Sequence, residues 1–190
     1  MSPVIESFIN DRIKVNSDFT PQEVVVAAAF AMIGIREEGQ NTGELVSAIQ
    51  DTVGGPDPWA WCMSFVQTAY AYAEKRLSLS CNLPESEHCL SVFNEGVRRR
   101  IVVAAPEPGD IIIWQKSGTL LGHTGIVWSI KKDNGLLVVE GNSAPQQGES
   151  IQREGEGVHL LARSQGGSPR MPVIGFLRPQ WAARGEDRTS

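Results

Sequence analysis

Four residues of this chain have the types needed for thiol-based acyl transfer: Cys62, His123, Glu140 and Asn142. A nucleophilic cysteine needs a base within reach, and the base needs a partner that orients it. The chain has three histidines. His88 lies beside Cys89 in a helical stretch, and His159 sits near Gly155, Gly157 and Leu160 without obvious polar partners. His123 differs, because Gly122 and Gly125 flank it at the start of a predicted strand. Alternation puts His123, Gly125, Val127 and Ser129 on one face, and Val138, Glu140 and Asn142 on one face of the next strand. A loop centred between Lys132 and Asp133 sets His123 opposite Asn142, with Glu140 one diagonal step away. Each residue alone has a plainer reading: a buried thiol, a turn histidine, two polar residues at a strand end. Together they form one geometry suited to Cys–His acyl transfer.

These side chains need particular elements to hold them. The turn-prone stretch Gly54-Gly55-Pro56-Asp57-Pro58 runs into a helical pattern in which Cys62, Phe65, Val66, Ala69 and Ala73 share a face. Cys62 therefore falls within the first turn or so, where unpaired N–H groups and the helix dipole lower a thiol pKa and bind an oxyanion. A start at Pro58 would put Cys62 one turn in and weaken that effect. Upstream, Thr20-Pro21-Gln22-Glu23 is a capping signature for a helix reaching about Ile35. A short helix over about 43–52, the Cys62 helix to about Leu77 and a fourth helical piece over about 85–99 complete the first half. The second half changes period. Strands are predicted at 111–114, 122–130 and 136–140, the last two joined by the turn Asp133-Asn134-Gly135, with weaker strands at 151–153, 158–163 and 173–177. Helices followed by short strands read as α+β, with helices packed on an antiparallel sheet. Residues 1–19 read as a weakly held arm and 181–190 as a flexible tail, leaving one domain over 20–180.

A length of 190 residues, 41% of them hydrophobic, suits one globular domain. The net charge of −5 leaves no electrostatic footprint for nucleic acid. The only basic run, Arg98-Arg99-Arg100, ends a predicted helix, where cations complement the dipole. No signal peptide and no membrane span are visible, so cytoplasmic synthesis is expected. Three cysteines make no disulfide framework. Cys81 and Cys89 read as structural, with pairing across a short loop open in an oxidising compartment. Trp59 and Trp61 flank Cys62 and are candidates to line a groove for glycan or peptide, with packing at the helix start as the alternative for Trp61. Trp114 ends a strand and fits either role. Trp128 faces away from His123 and reads as core.

Several motifs in order make the chain resemble a known family. They are Trp61-Cys62 opening a helix, Pro108-Gly109-Asp110-Ile111-Ile112 opening a strand, Gly122-His123-Thr124-Gly125-Ile126-Val127, Glu140-Gly141-Asn142, and the closing Gly175-Phe176-Leu177-Arg178-Pro179. The set resembles the CHAP domain, the cysteine- and histidine-dependent amidohydrolase/peptidase branch of the papain-like and NlpC-type cell-wall hydrolases. The resemblance spans about residues 20–180 and implies a papain-like fold. It gives Cys62 as nucleophile, His123 as general base, Glu140 as the orienting third member and Asn142 as a fourth polar residue near the ring. Some members carry an acidic calcium loop before the cysteine. Here that stretch offers only Asp51 and Asp57, too few oxygens for a cage of about six to eight, so no metal or other cofactor is expected.

The function implied is a peptidoglycan hydrolase: an N-acetylmuramoyl-L-alanine amidase or a stem-peptide endopeptidase. It would act as a phage lysin or a secreted antibacterial effector. Two alternatives stand beside it, a papain-type deamidase or acyltransferase on a protein or small amide, and a non-catalytic wall-binding module. The expected partners are peptidoglycan and a delivery machinery or an immunity (inhibitor) protein, with the chain itself a monomer. Action on the wall or in the periplasm would follow release by lysis or dedicated secretion.

Overall fold

The computed structural model describes residues 1–55, 58–145 and 155–184. Five α-helices are described, α1 (Pro3–Asn10), α2 (Pro21–Ala31), α3 (Glu44–Gln50), α4 (Cys62–Leu77) and α5 (Cys89–Arg98), with a short 3-10 turn (Asp51–Val53) after α3. The strands are β1 (Leu79–Cys81), β2 (Val102–Val103), β3 (Ile111–Gln115), β4 (Gly122–Ile130), β5 (Leu136–Ser143), β6 (Gly157–Arg163), β7 (Gly167–Ser168), β8 (Met171–Leu177) and β9 (Trp181–Ala183). The main sheet runs β2-β8-β3-β4-β5-β6 with every pair antiparallel, and β7 adds to β8. Helices then strands gives the expected α+β architecture.

The sheet has a core on each face. On one face Ile111, Ile113, Ile126, Val139 and Leu177 join the buried residues of the helices. On the other, Ile112, Trp114, Val127, Val138 and Phe176 form a smaller cluster. The alternation of β3 explains the split, since both of its faces are buried. The helix α4 crosses the larger core and packs against α2, β4 and β5. Its first nine residues are all buried, so its N-terminus is set by packing on every side.

Local signals hold where they were strong. Thr20 and Glu23 close a reciprocal capping box: the Glu23 N–H donates to Thr20 Oγ1 at 3.2 Å and the Thr20 N–H to Glu23 Oε2 at 2.7 Å. The proposed β4–β5 register is present as Ile126 opposite Val139 and Val127 opposite Val138, and it shifts by one residue at Trp128. That bulge leaves Trp128 stacked on Phe30 of α2, centroids 5.8 Å apart.

Both chain ends differ from expectation. The expected arm contains α1, capped by Ser2, with Ile5 and Ile9 fully buried. Those two residues sit one turn apart, so a single helix face docks on the domain, and the Tyr72 hydroxyl donates to Asn10 at 2.8 Å. The expected tail starts as a strand, since β9 pairs with β1 and Trp181 stacks on Tyr70. The expected strand at 151–153 and residue Asp57 lie outside the described residues.

The motifs at 108–112 and 175–179 serve one joint. Arg178 donates to both oxygens of buried Asp110, at 2.9 and 2.8 Å. The Tyr70 hydroxyl donates to the Gly109 carbonyl at 2.7 Å. Asp110 therefore ties the start of β3 to the end of β8, rather than taking part in chemistry.

Candidate active site

The helix α4 begins at Cys62 itself, with Trp61 as its N-cap. Cys62 is the first helical residue, where the backbone N–H groups have no intrahelical acceptor and the dipole is positive. Asn142 secures this start. It adopts a left-handed conformation with φ 51 at the irregularity in β5. With its amide oriented to suit its neighbours, it accepts from the Trp61 N–H at 3.3 Å and donates to the Gly155 carbonyl at 2.8 Å. The contacts of this amide among the described residues thus go to Trp61 and Gly155. The bulge removes Asn142 from the ladder and turns its amide toward the helix start.

His123 and Glu140 meet as the register required. His123 Nε2 lies 2.9 Å from Glu140 Oε2, and both side chains are fully buried. With Nε2 committed to Glu140, Nδ1 is the nitrogen available to Cys62, whose sulfur is near enough to shift the ring's titration. Nδ1 has no other partner among the described residues. Burial by itself lowers the His123 pKa. The interactions with Cys62 and Glu140 outweigh it and bring the ring up to about 9. Glu140 shows the mirror balance: burial raises its pKa, but His123 and Arg163 hold the carboxyl below its ordinary value.

Arg163 is the member that sequence reasoning missed. From β6 its Nε donates to Glu140 Oε1 at 2.6 Å and an Nη to Oε2 at 2.7 Å, a two-pronged grip on one carboxylate. The guanidinium also lies 5.9 Å from the Trp114 ring centroid. Trp114 stacks on His123 with centroids 5.7 Å apart. One row thus runs from Arg163 through Glu140 to His123 and the cysteine, with Trp114 as its wall.

The three tryptophans proposed for substrate divide. Trp114 is fully buried, so it supports the imidazole rather than meeting a ligand. Trp61 is also fully buried, and its indole N–H donates to Glu37 at 2.9 Å. Both assignments to a substrate groove are corrected, since packing takes the whole ring in each case. Trp59 is 54% exposed and lines a cleft of about 340 Å³ together with Cys62, His88, Cys89, Leu121 and Gly122. Cys89, read from the sequence as structural, instead places its sulfur 3.7 Å from that of Cys62. Among the described residues no cluster of three or more His, Cys, Asp or Glu side chains fits a metal ion. No described helix is long and apolar enough to cross a membrane.

Two glycines permit the close packing. A Cβ on Gly141 would lie 2.5 Å from the Phe65 Cβ, so Gly141 lets β5 approach α4 beside the cysteine. A Cβ on Gly125 would lie 2.6 Å from Val138 Cγ1, 2.7 Å from Glu140 Cγ and 2.8 Å from the Val139 carbonyl oxygen. Gly125→Ala is therefore expected to cost about 1–3 kcal/mol and to displace Glu140. Thermal melting and activity should both fall. An unchanged melting temperature would show that β5 yields without cost.

Residues 52–142 match the family model described as the CHAP domain. No curated protein and no solved structure matches the chain. The matched span contains Cys62, His123, Glu140 and Asn142, and ends before Arg163.

Proposed function

Because this chain carries a CHAP domain, a member of a family of peptidoglycan-hydrolysing amidases and peptidases, we propose that it is a thiol hydrolase of peptidoglycan amide bonds. Either the sugar-linked amide or an amide within the stem peptide is its target. The observation that carries the reading is Cys62 at the first residue of α4, next to His123 and its buried carboxylate.

The steps follow from that placement. Protonated His123 favours the thiolate of Cys62. The thiolate attacks the amide carbonyl carbon, and the N–H groups of the α4 first turn hold the oxyanion that forms. His123 gives its proton to the leaving amine, and the tetrahedral species collapses to an acyl-enzyme. The neutral ring then takes a proton from water, which attacks the thioester and restores the thiolate. Glu140 keeps the ring in register and stabilises its charged form, and Arg163 fixes the carboxylate. The cleft beside Trp59 is open to one side of the sulfur and receives the substrate. A phage lysin and a secreted antibacterial effector both need this chemistry, and the proposal covers either role.

Digestion of purified peptidoglycan, followed by mass spectrometry of the released fragments, tests the reading. New L-alanine amino termini would identify the sugar-linked amide, and new termini inside the stem would identify an endopeptidase. Intact peptidoglycan, alongside conversion of protein side-chain amides to acids, would overturn it in favour of a deamidase.

A further inference from the structure

The cleft presents two thiols from two separate helix starts. Cys62 is the first residue of α4 and Cys89 the first residue of α5. Their sulfurs lie 3.7 Å apart, and both line the same cleft. A disulfide bond is ~2.05 Å long, so the two sulfurs are already within about 1.7 Å of bonding distance. Cys81 offers a contrast within the same chain. Its burial, reinforced by Glu74, pushes its thiol up to about 12, which keeps it protonated and unreactive.

We propose that Cys62 and Cys89 form an oxidation site, in which a peroxide converts the two thiols to a reversible disulfide that closes the cleft. With hydrogen peroxide, the Cys62 thiolate attacks one peroxide oxygen. It becomes a sulfenic acid, and the other oxygen leaves as hydroxide, which takes up the proton that the Cys62 thiol released and becomes water. The Cys89 sulfur then attacks the Cys62 sulfur and breaks its S–O bond, and the departing hydroxide takes the proton of the Cys89 thiol and leaves as a second water. Two thiols are oxidised by two electrons and one peroxide is reduced. Cys89 also protects Cys62, since a neighbour that captures the sulfenic acid prevents its passage to the irreversible sulfinic state. For loss of hydrolysis on closure, and only for that, the proposal rests on the function proposed above.

The test uses the full chain, reduced, desalted and exposed to hydrogen peroxide. Remaining thiols are then alkylated and the peptides mapped by mass spectrometry. The expected product is a Cys62–Cys89 linked peptide with Cys81 alkylated, reverting to three alkylated cysteines after dithiothreitol. Cys81→Ser should give the same linkage. Cys89→Ser should leave Cys62 accumulating as sulfinic acid at the same peroxide dose. A linkage to Cys81, or Cys62 passing to sulfinic acid in the native chain, would overturn the proposal. Activity read in parallel should be lost and then recovered on reduction. A linkage that forms and reverses while hydrolysis is unaffected would instead overturn the role of Cys62 as nucleophile.

Discussion

Cys62→Ala is expected to reduce peptidoglycan hydrolysis on the order of 10⁴-fold or more while leaving the fold in place. The variant removes one sulfur from a packed helix start, a loss of about 1 kcal/mol, or a melting temperature lower by a few degrees. His123→Ala should match it in activity, because in the proposed mechanism thiolate formation and protonation of the leaving amine both pass through that ring. Glu140→Gln should retain more activity than either, since a glutamine oxygen can still accept from Nε2–H. A silent Glu140→Gln with a dead Asn142→Ala would reverse the roles given to those two residues. The pH dependence has a definite sign. The His123 pKa is raised from its ordinary 6.5 to about 9. Its contribution to stability is thus complete below about 6.5 and lost as pH rises through about 9. Activity should fall over that same upper window, where the imidazolium loses its proton. In Cys62→Ala the sulfur that helps raise the ring's pKa is gone, so the ring resonance of His123, followed by NMR, should titrate at lower pH. An unmoved titration would mean that Cys62 and His123 are not coupled.

Features written into neighbouring residues were the readable ones. The Thr20–Glu23 box, the turn over Asp133-Asn134-Gly135 and the pairing of β4 with β5 each depend on local chemistry and on a period of two. In that turn the Gly135 N–H donates to Asp133 Oδ1 at 3.0 Å. His123 and Glu140 came together for the same reason, being set by one hairpin. The signal for α1 was also present, because Ser2-Pro3 repeats the Thr20-Pro21 pattern and Ile5 and Ile9 are one turn apart. Its shortness hid it, since so few residues establish no periodicity. Arg163 carries no local signal at all. An arginine near a strand end looks like a solvated cation until tertiary pairing places Glu140 beside it, 23 residues away in sequence. Trp61 and Trp114 show the converse. Aromatic rings near a thiol look like a groove, and only packing on both faces of the sheet reveals that they are walls. Cys89 was unreadable because its distance from Cys62 depends on how α5 meets α4.

Arg163→Leu is expected to be the most destabilising single change among the polar residues of this site. Glu140 and Arg163 are both buried, and the two-pronged grip offsets the cost of dehydrating the carboxylate. Removing the guanidinium leaves a buried anion facing only His123. That costs about 3–5 kcal/mol, or roughly 10 °C in a chain of this length. The carboxyl should also lose the part of its pKa depression that Arg163 supplies, while His123 keeps the rest. In the native chain Glu140 titrates below its ordinary 4.5. Its contribution to stability is therefore present above about 4.5 and lost as pH falls through the lower folded value. In Arg163→Leu that loss should begin at higher pH, which melting curves across the acid range would show. Arg163→Lys should recover part of the stability but not the geometry, since an ammonium cannot reproduce the two parallel N–H···O bonds of the planar guanidinium. Its hydrolysis should consequently fall further than its melting temperature suggests. The double variant Glu140→Gln with Arg163→Leu removes both charges together. It should be more stable than the sum of the single variants predicts, by about 1–3 kcal/mol. Strict additivity would show that Arg163 does not act through Glu140. The arginine would then have to influence the imidazole by its contact with Trp114 alone.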